Sequence, residues 1–161
     1  MEQPAPLSLR FATPADNAFQ LALYASTRAE ELALVDWSSE QKQAFVQMQF
    51  NAQNTHYAAY YPAAQTSIVQ LEGQPIGRTI VDRSARHLLL MDIALLPEQR
   101  GRGIGTTLIR ALIDEATQTG RGILLHVEFF NPAQRLYLRL GFRKIADQGV
   151  YWEMEWLPTS G

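Results

Sequence analysis

The chain has 161 residues, of which 47% are hydrophobic and 19% are charged, with a formal net charge of −2 and no cysteine. This length predicts one domain over 1–161, and the composition is typical of a soluble globular protein. The charge provides no basic surface for nucleic acid, and the lack of cysteine excludes disulfides, thiolate metal sites and a cysteine nucleophile. Without an apolar run of membrane-spanning length or a signal-peptide pattern, we expect a cytoplasmic protein with no membrane partner.

The N-terminal third of the sequence predicts one strand and two helices. Alternating apolar residues indicate a strand over Leu7–Phe11. Thr13 followed by a proline is typical of a helix N-terminus, and the helical periodicity continues to about residue 29. A second helix is predicted over 39–52, and its inward-facing residues are expected to be Phe45, Met48 and Phe50. The tyrosine- and alanine-rich stretch 55–64 is interpreted as a helix end followed by a loop.

The remainder of the sequence predicts a sheet interrupted by two helices. The predicted strands are 67–71, 75–82, 87–95, 122–129, 142–145 and 151–156, and the predicted helices are 103–118 and 131–140. Glycines at 73, 120 and 141 mark a hairpin turn and the two helix ends. The order βααβββαβαββ predicts an α+β fold, a three-layer α/β/α arrangement with a mixed, mostly antiparallel central sheet.

Three glycines at alternate positions stand where the strand 87–95 is followed by a helix. Glycine allows a positive φ or a close approach of backbone to ligand, and the first N–H groups of the helix favour an anion. Two arginines add positive charge, so the segment predicts a site for phosphate or pyrophosphate. We call this segment the glycine turn, and its residues are Arg100, Gly101, Arg102, Gly103, Ile104, Gly105 and Thr106.

The spacing within the glycine turn distinguishes between phosphate-binding motifs. There is no lysine for a Walker loop, and Thr106 stands where a dinucleotide fingerprint requires its last glycine. Arg100-x-x-Gly103-x-Gly105 resembles the Arg/Gln-x-x-Gly-x-Gly/Ala element of the GCN5-related N-acetyltransferases (GNAT), in which this turn holds the pyrophosphate of coenzyme A. A plain strand-to-helix connection also tolerates these glycines, so a second motif is needed.

A second stretch carries the same resemblance, through Asn131, Ala133, Tyr137 and Leu140-Gly141-Phe142. The resemblance covers about 65–157 well and the first 64 residues only in element order. It implies acetyl-coenzyme A as co-substrate and an amine on a small molecule or peptide as acceptor. It also implies that the cofactor contacts a strand segment and a helix start, namely Ile93, Ala94, Leu95, Asn131, Ala133 and Tyr137.

The candidate catalytic residues are Tyr137, Asp92 and Glu128, and each has a structural alternative. The resemblance makes Tyr137 the general acid that protonates the departing thiolate, whereas local physics alone favours core packing. Asp92 interrupts an apolar strand, either as a carboxylate satisfied by backbone N–H groups or as a base, water-orienting group or ammonium anchor in the acceptor cleft. Glu128 is the second candidate base, or the partner of His126 in a structural pair. For Asn131, capping of the following helix is the structural alternative.

The predicted reaction is direct attack of a primary amine on acetyl-coenzyme A in a ternary complex. No cysteine or serine elbow is present to carry a covalent acetyl group. The alternatives are a non-catalytic acyl-coenzyme-A sensor and a nucleotide-binding regulatory module. The three histidines have no metal-ligand spacing, so no metal is expected. A homodimer is left open.

The segment 27–37 is interpreted as the connection between the two early helices. In the resembling family this connection covers the acceptor side of the cleft, and functional residues are common on such loops. Glu30 and Glu31 are therefore candidates for attracting a cationic amine, and two solvated carboxylates are the alternative.

Overall fold

Seven strands and four helices follow one another in the computed structural model, which describes residues 7–129 and 131–159. The helices are α1 (Asn17–Ala33), α2 (Ser39–Tyr60), α3 (Ile104–Thr119) and α4 (Ala133–Arg139). The strands are β1 (Leu7–Phe11), β2 (Ala64–Leu71), β3 (Gln74–Asp82), β4 (His87–Leu95), β5 (Gly122–Glu128), β6 (Arg143–Asp147) and β7 (Tyr151–Trp156). The order is βααβββαβαββ, as predicted, with additional 3-10 turns at Pro14–Asp16 and Pro97–Gln99.

All seven strands belong to one mixed sheet, in the order β1-β2-β3-β4-β5-β7-β6. Strands β4 and β5 are parallel, whereas β1–β2, β5–β7 and β6–β7 are antiparallel. The predicted α+β class with a mixed sheet is therefore confirmed. The β4–β5 ladder runs from His87 opposite Gly122 to Leu90 opposite Leu125, although both strands continue beyond it.

The chain divides into two compact units. The first contains the described residues up to Ile80 together with Ile93–Arg100, and the second contains Val81–Asp92 and the described residues from Gly101 onward. The first unit has a core between α1 and α2, formed by Tyr24, Leu32, Val46 and Phe50. The second unit buries apolar residues of α3, β5 and β7, namely Leu108, Ile109, Leu112, Ala116, Ile123, Leu125 and Met154. A single domain over 1–161 stays a prediction.

Helix α2 extends beyond the predicted 39–52, and the stretch 55–64 is a helix end followed by a short loop, as interpreted from the sequence. Residues 55–60 are helical, and β2 already begins at Ala64. Ring contacts between residues four apart support the last turns, at 4.7 Å for His56 and Tyr60 and 6.3 Å for Tyr57 and Tyr61. The helix ends where Pro62 disfavours a helical backbone at the preceding residue.

Met48 is 60% exposed, so its predicted inward orientation is wrong. Val46 and Phe50, which are four residues apart, form the buried stripe of α2 and are each 6% exposed. Met48 lies two residues from both, which places it on the opposite side of the helix. None of the helices in the described part of the chain combines the length and apolar character that a membrane span requires.

Candidate functional site

The glycine turn has open space beside two of its glycines. Gly101 and Gly103 have φ values of +72° and +80°, in the left-handed region that favours glycine. A Cβ atom built on either residue would have no neighbouring atom within 4 Å. Glycine is therefore required here by backbone conformation, and the space beside it is open to a ligand.

Helix α3 begins directly from this turn, with Gly103 as its N-cap. Within the described residues no side chain caps the helix. The first backbone hydrogen bond of the helix is donated by the Thr107 N–H to the Gly103 carbonyl at 3.1 Å. The N–H groups of Ile104, Gly105 and Thr106 precede that bond, at the positive end of a 16-residue helix. This geometry suits an anionic group.

Arg100 connects the glycine turn to the end of β4. Its Nε donates a hydrogen bond to the Leu95 carbonyl at 3.1 Å. The side chains of Arg100 and Arg102 are both exposed, so their charges are accessible to a phosphate at the surface. The end of β4 is fixed in turn by the Leu96 N–H, which donates to the Ile76 carbonyl at 2.8 Å.

Gly77 of β3 lies against the strand segment that was predicted to contact the cofactor. A Cβ on Gly77 would overlap the carbonyl oxygen of Ala94 and lie 2.7 Å from Leu95 Cδ2. Only glycine therefore allows β4 to follow its present path here. Gly77 could not be assigned to the site from sequence, because a lone glycine in a strand indicates a close approach without identifying the neighbour.

Tyr137 and Asp92, a predicted acid and a predicted base, are brought close enough to interact electrostatically. Tyr137 is 6% exposed, and its ring packs against Phe142 with 5.6 Å between centroids. Burial and, to a smaller extent, the negative charge of Asp92 raise the pKa of Tyr137 to about 12. The hydroxyl is thus protonated at neutral pH. Tyr137 is packed in the core, as its structural alternative predicted, and is also close to the carboxylate of Asp92.

His126 pairs with Glu153 and not with Glu128. The distance from His126 Nε2 to Glu153 Oε2 is 3.3 Å, and the two residues are directly opposite each other on β5 and β7. Residues facing each other across antiparallel strands are closer than residues two apart along one strand. The structural pair of His126 with Glu128 is therefore not formed.

Glu128 and Asp92 lie at the same end of two neighbouring parallel strands. Glu128 ends β5, and Asp92 lies near the end of β4. Both residues come after Leu90 and Leu125, the last pair of the β4–β5 ladder. The strand pairing therefore places both candidate bases where the two strands are no longer hydrogen-bonded to each other.

Asn131 caps the start of α4. Its Oδ1 accepts a hydrogen bond from the Ala133 N–H at 2.9 Å, as its capping alternative predicted. Gln134 Nε2 donates to the carbonyl of Glu128 at 2.9 Å, which joins α4 to the end of β5. A Cβ on Gly105 would lie 3.9 Å from Leu136 Cδ2, so the first turn of α3 is adjacent to the helix that carries Tyr137.

The segment 27–37 is not a connection, contrary to the prediction. Helix α1 extends to Ala33, so Glu30 and Glu31 are helical and only 34–38 joins the two helices. Glu31 forms an ion pair with Arg28 at 3.3 Å, with its side chain 63% exposed. Within 7–129 and 131–159, no group of three or more histidine, cysteine, aspartate or glutamate residues is arranged to hold a metal ion.

The sequence itself matches a known family over most of its length. Residues 27–142 match the acetyltransferase (GNAT) family, and the chain therefore belongs to that family. This result confirms the resemblance that the glycine turn and the 131–142 stretch indicated. A search of curated proteins finds no match to this chain.

Solved structures with different acceptors share the fold. The PaiA N-acetyltransferase of Thermoplasma acidophilum, solved with coenzyme A, aligns with a TM-score of 0.72 at 16% identity over 94% of this chain and 99% of its own. The ribosomal-protein-S18-alanine N-acetyltransferase of Escherichia coli aligns at 0.64, with 20% identity and 97% of both chains covered. A chimera of the Vibrio cholerae spermidine N-acetyltransferase SpeG and hSSAT gives 0.63, with 24% identity and 94% of both covered. These likenesses define the fold and leave the acceptor open.

Proposed function

We propose that this protein is an N-acetyltransferase that moves an acetyl group from acetyl-coenzyme A to a primary amine of a small molecule or peptide. The observation that carries the proposal is the start of α3 in this GNAT family member. There a left-handed Gly103 leads into N–H groups that no described side chain caps. The Thermoplasma acidophilum relative was solved in complex with coenzyme A, which supports the choice of cofactor.

The residues of the glycine turn fit a pyrophosphate. Open space at Gly101 and Gly103 admits the phosphate oxygens, and the first N–H groups of α3 donate to them. Arg100 and Arg102 add exposed positive charge. We assign the pantetheine arm to the main chain of Ile93–Leu95, which lies beyond the last β4–β5 ladder pair, and to Asn131 and Ala133 at the start of α4.

Tyr137 is proposed to act on the departing sulfur. With a pKa of about 12, its hydroxyl is protonated throughout the neutral range. A thiol has a pKa near ~8.5, so complete proton transfer from Tyr137 to a thiolate is uphill. The Tyr137 hydroxyl therefore donates a hydrogen bond to the sulfur as the carbon–sulfur bond breaks. It passes its proton to the sulfur while it takes up a proton that the acceptor nitrogen releases. An ammonium acceptor loses two protons in all, one to sulfur and one to solvent.

Asp92 is the proposed base. A primary ammonium group with a pKa near ~10 must lose a proton before it attacks the thioester. Asp92, beside Tyr137, attracts the ammonium and accepts its proton directly or through a water. Glu128, at the corresponding end of β5, is the alternative base. A cytoplasmic location, the lack of a nucleic-acid partner and the oligomeric state stay predictions.

The experiment that tests this function measures release of free thiol from acetyl-coenzyme A in the presence of a panel of amines. The panel includes spermidine, free amino acids, and peptides with an N-terminal alanine or a lysine. We expect at least one class of amine to be acetylated. In the Tyr137→Phe variant, kcat should fall by about 10²-fold while the affinity for coenzyme A is unchanged.

Tyr60→Phe is the matched control, because Tyr60 is 72% exposed on α2 and is not among the residues assigned to the site. It should retain full activity. Saturable coenzyme A binding without thiol release for any amine would favour the sensor. Full activity in Tyr137→Phe would contradict the role of the hydroxyl.

A further inference from the structure

Arg78 of β3 is a buried cation outside the proposed transferase site. It is 2% exposed and is the largest of the fully buried side chains in the described part of the chain. Its guanidinium lies 5.9 Å from the ring centroid of Phe50 on α2. A buried charge is costly unless nearby groups solvate it, so the residues around Arg78 must stabilise its positive charge.

Two glutamines solvate this guanidinium through their amide oxygens. Arg78 Nη1 donates to Gln20 Oε1 at 2.9 Å, and Nη2 donates to Gln53 Oε1, also at 2.9 Å. Because arginine has only donors, each amide must present its oxygen to Arg78. The Nε2 group, with its two donor hydrogens, is therefore the part of the Gln20 amide that is left for another partner.

Gln20 also lines a cavity of about 410 Å³ within the first unit. We call it the Arg78 cavity. Most of its lining side chains carry an amide or a hydroxyl, and one is aromatic: Thr13, Asn17, Gln20, Asn54, Thr66 and Phe50. The volume lies in the range of small-molecule sites, and the pocket, which is open to solvent, offers several polar side chains that can hydrogen-bond a polar ligand.

The charges around the Arg78 cavity favour an anion. Asp16 lies between the lining residues Thr13 and Asn17, and its carboxylate forms two hydrogen bonds of 2.8 Å with Arg10. The Arg10 guanidinium holds the pKa of Asp16 far below its usual range, so the two charges compensate each other. Arg78 contributes a further positive charge, close behind the amide of Gln20.

We propose that the Arg78 cavity is a second ligand site, which takes a small carboxylate that carries an apolar group. The carboxylate accepts hydrogen bonds from Gln20 Nε2 and from neighbouring amide or hydroxyl donors. The apolar group packs against Phe50. The buried guanidinium fixes the orientation of the Gln20 amide and favours a negative charge in the cavity. This inference does not depend on the proposed transferase activity.

The test compares benzoate with its neutral analogue benzamide by isothermal titration calorimetry. Benzoate should bind saturably, and at least about tenfold more tightly than benzamide. The Gln20→Glu variant keeps the shape of the side chain and forms an ion pair with Arg78, so it should fold. It replaces the Nε2 donors of this side chain with an acceptor oxygen, and benzoate affinity should fall at least about tenfold.

Gln53→Glu is the matched control, because it makes the same ion pair with Arg78 but does not line the cavity. It neutralises the charge without removing the donors, so benzoate affinity should fall by only about two- to threefold. The proposal is overturned if benzoate does not bind, if benzamide binds equally well, or if Gln20→Glu binds as the unmodified protein does. Displacement of benzoate by coenzyme A would also overturn it.

Discussion

Burial of Tyr137 has one consequence for chemistry and another for stability. Its ring packs against Phe142, and its hydroxyl lies within electrostatic reach of Asp92. A buried tyrosinate beside a carboxylate is unfavourable, so the folded protein holds the phenolic proton more strongly than the unfolded chain does. The same proton that we assign to the departing sulfur is therefore measurable through the stability of the protein.

We predict that Tyr137 makes the free energy of unfolding decrease between about pH 10 and pH 12. Its pKa is raised from 10.0 in the unfolded chain to about 12 in the folded protein. The stabilisation is fully present below pH 10 and is lost as the pH rises through the folded pKa. The difference corresponds to about 2–3 kcal/mol, measurable by urea denaturation at a series of pH values.

The Tyr137→Phe variant is the reference for this measurement, because other groups also titrate in the alkaline range. The difference in unfolding free energy between the two proteins should change with pH only above about pH 10. In Asp92→Asn the decrease should begin at the same pH but should be smaller and end at a lower pH, since one cause of the raised folded pKa is removed. A difference that is constant up to pH 12 would show that Tyr137 titrates as an exposed tyrosine does.

Residue types and spacing could identify the candidate acid and bases, but they could not assign partners. His126 and Glu128 are two apart on one strand, which made a pair of them plausible from sequence. The actual partner, Glu153, is set by the β5–β7 register, which depends on residues far along the chain. Arg78 gave no signal for a related reason, because its burial depends on how α1 and α2 pack.

At the scale of elements, the end of β4 depends on one residue of its neighbour. Gly77 of β3 makes room for the carbonyl of Ala94 and the side chain of Leu95. We propose that the main chain of Ile93–Leu95 contacts the cofactor. A displacement of this strand end should therefore affect cofactor binding as well as stability.

We predict that Gly77→Ala lowers stability by about 1–3 kcal/mol and weakens coenzyme A binding, because the added Cβ overpacks the β3–β4 contact. Thermal unfolding and calorimetric titration measure the two effects. Gly105→Ala is the matched control, since its Cβ meets only Leu136 Cδ2, at 3.9 Å, and the family element accepts alanine there. It should fold and bind normally. Gly77→Ala with undiminished coenzyme A affinity would show that the end of β4 is not part of the site.

Elements with clear local signals could be predicted closely. Glycines with positive φ end α3 at Gly120 and form the hairpin turn at Gly73, as their positions in the sequence indicated. The extent of the helix end within 55–64 could not be predicted closely, because the aromatic residues of 55–60 have no strong helix propensity of their own. Their helix is supported by ring contacts, such as His56 with Tyr60, that exist only once it has formed.

At the scale of the whole molecule, the family could be predicted from sequence and the acceptor could not. The glycine turn and the 131–142 stretch carry local motifs, and the family match over 27–142 confirms the resemblance that they indicated. Relatives with the same fold carry the names of a ribosomal-protein alanine acetyltransferase and a spermidine acetyltransferase. We therefore expect acceptor recognition to depend on side chains that vary upon a common backbone.

Calorimetric titration of coenzyme A into two aspartate variants tests most directly whether the start of α3 binds the pyrophosphate of coenzyme A. Gly103→Asp places a side chain and a negative charge in the proposed site. Gly73→Asp is the matched control, because Gly73 is a hairpin glycine with the same φ of +80° and the same open surroundings. We predict that affinity falls at least tenfold in Gly103→Asp, or about 1.4 kcal/mol, and changes less than about twofold in Gly73→Asp. Equal affinity in a folded Gly103→Asp variant and in the unmodified protein would contradict the account.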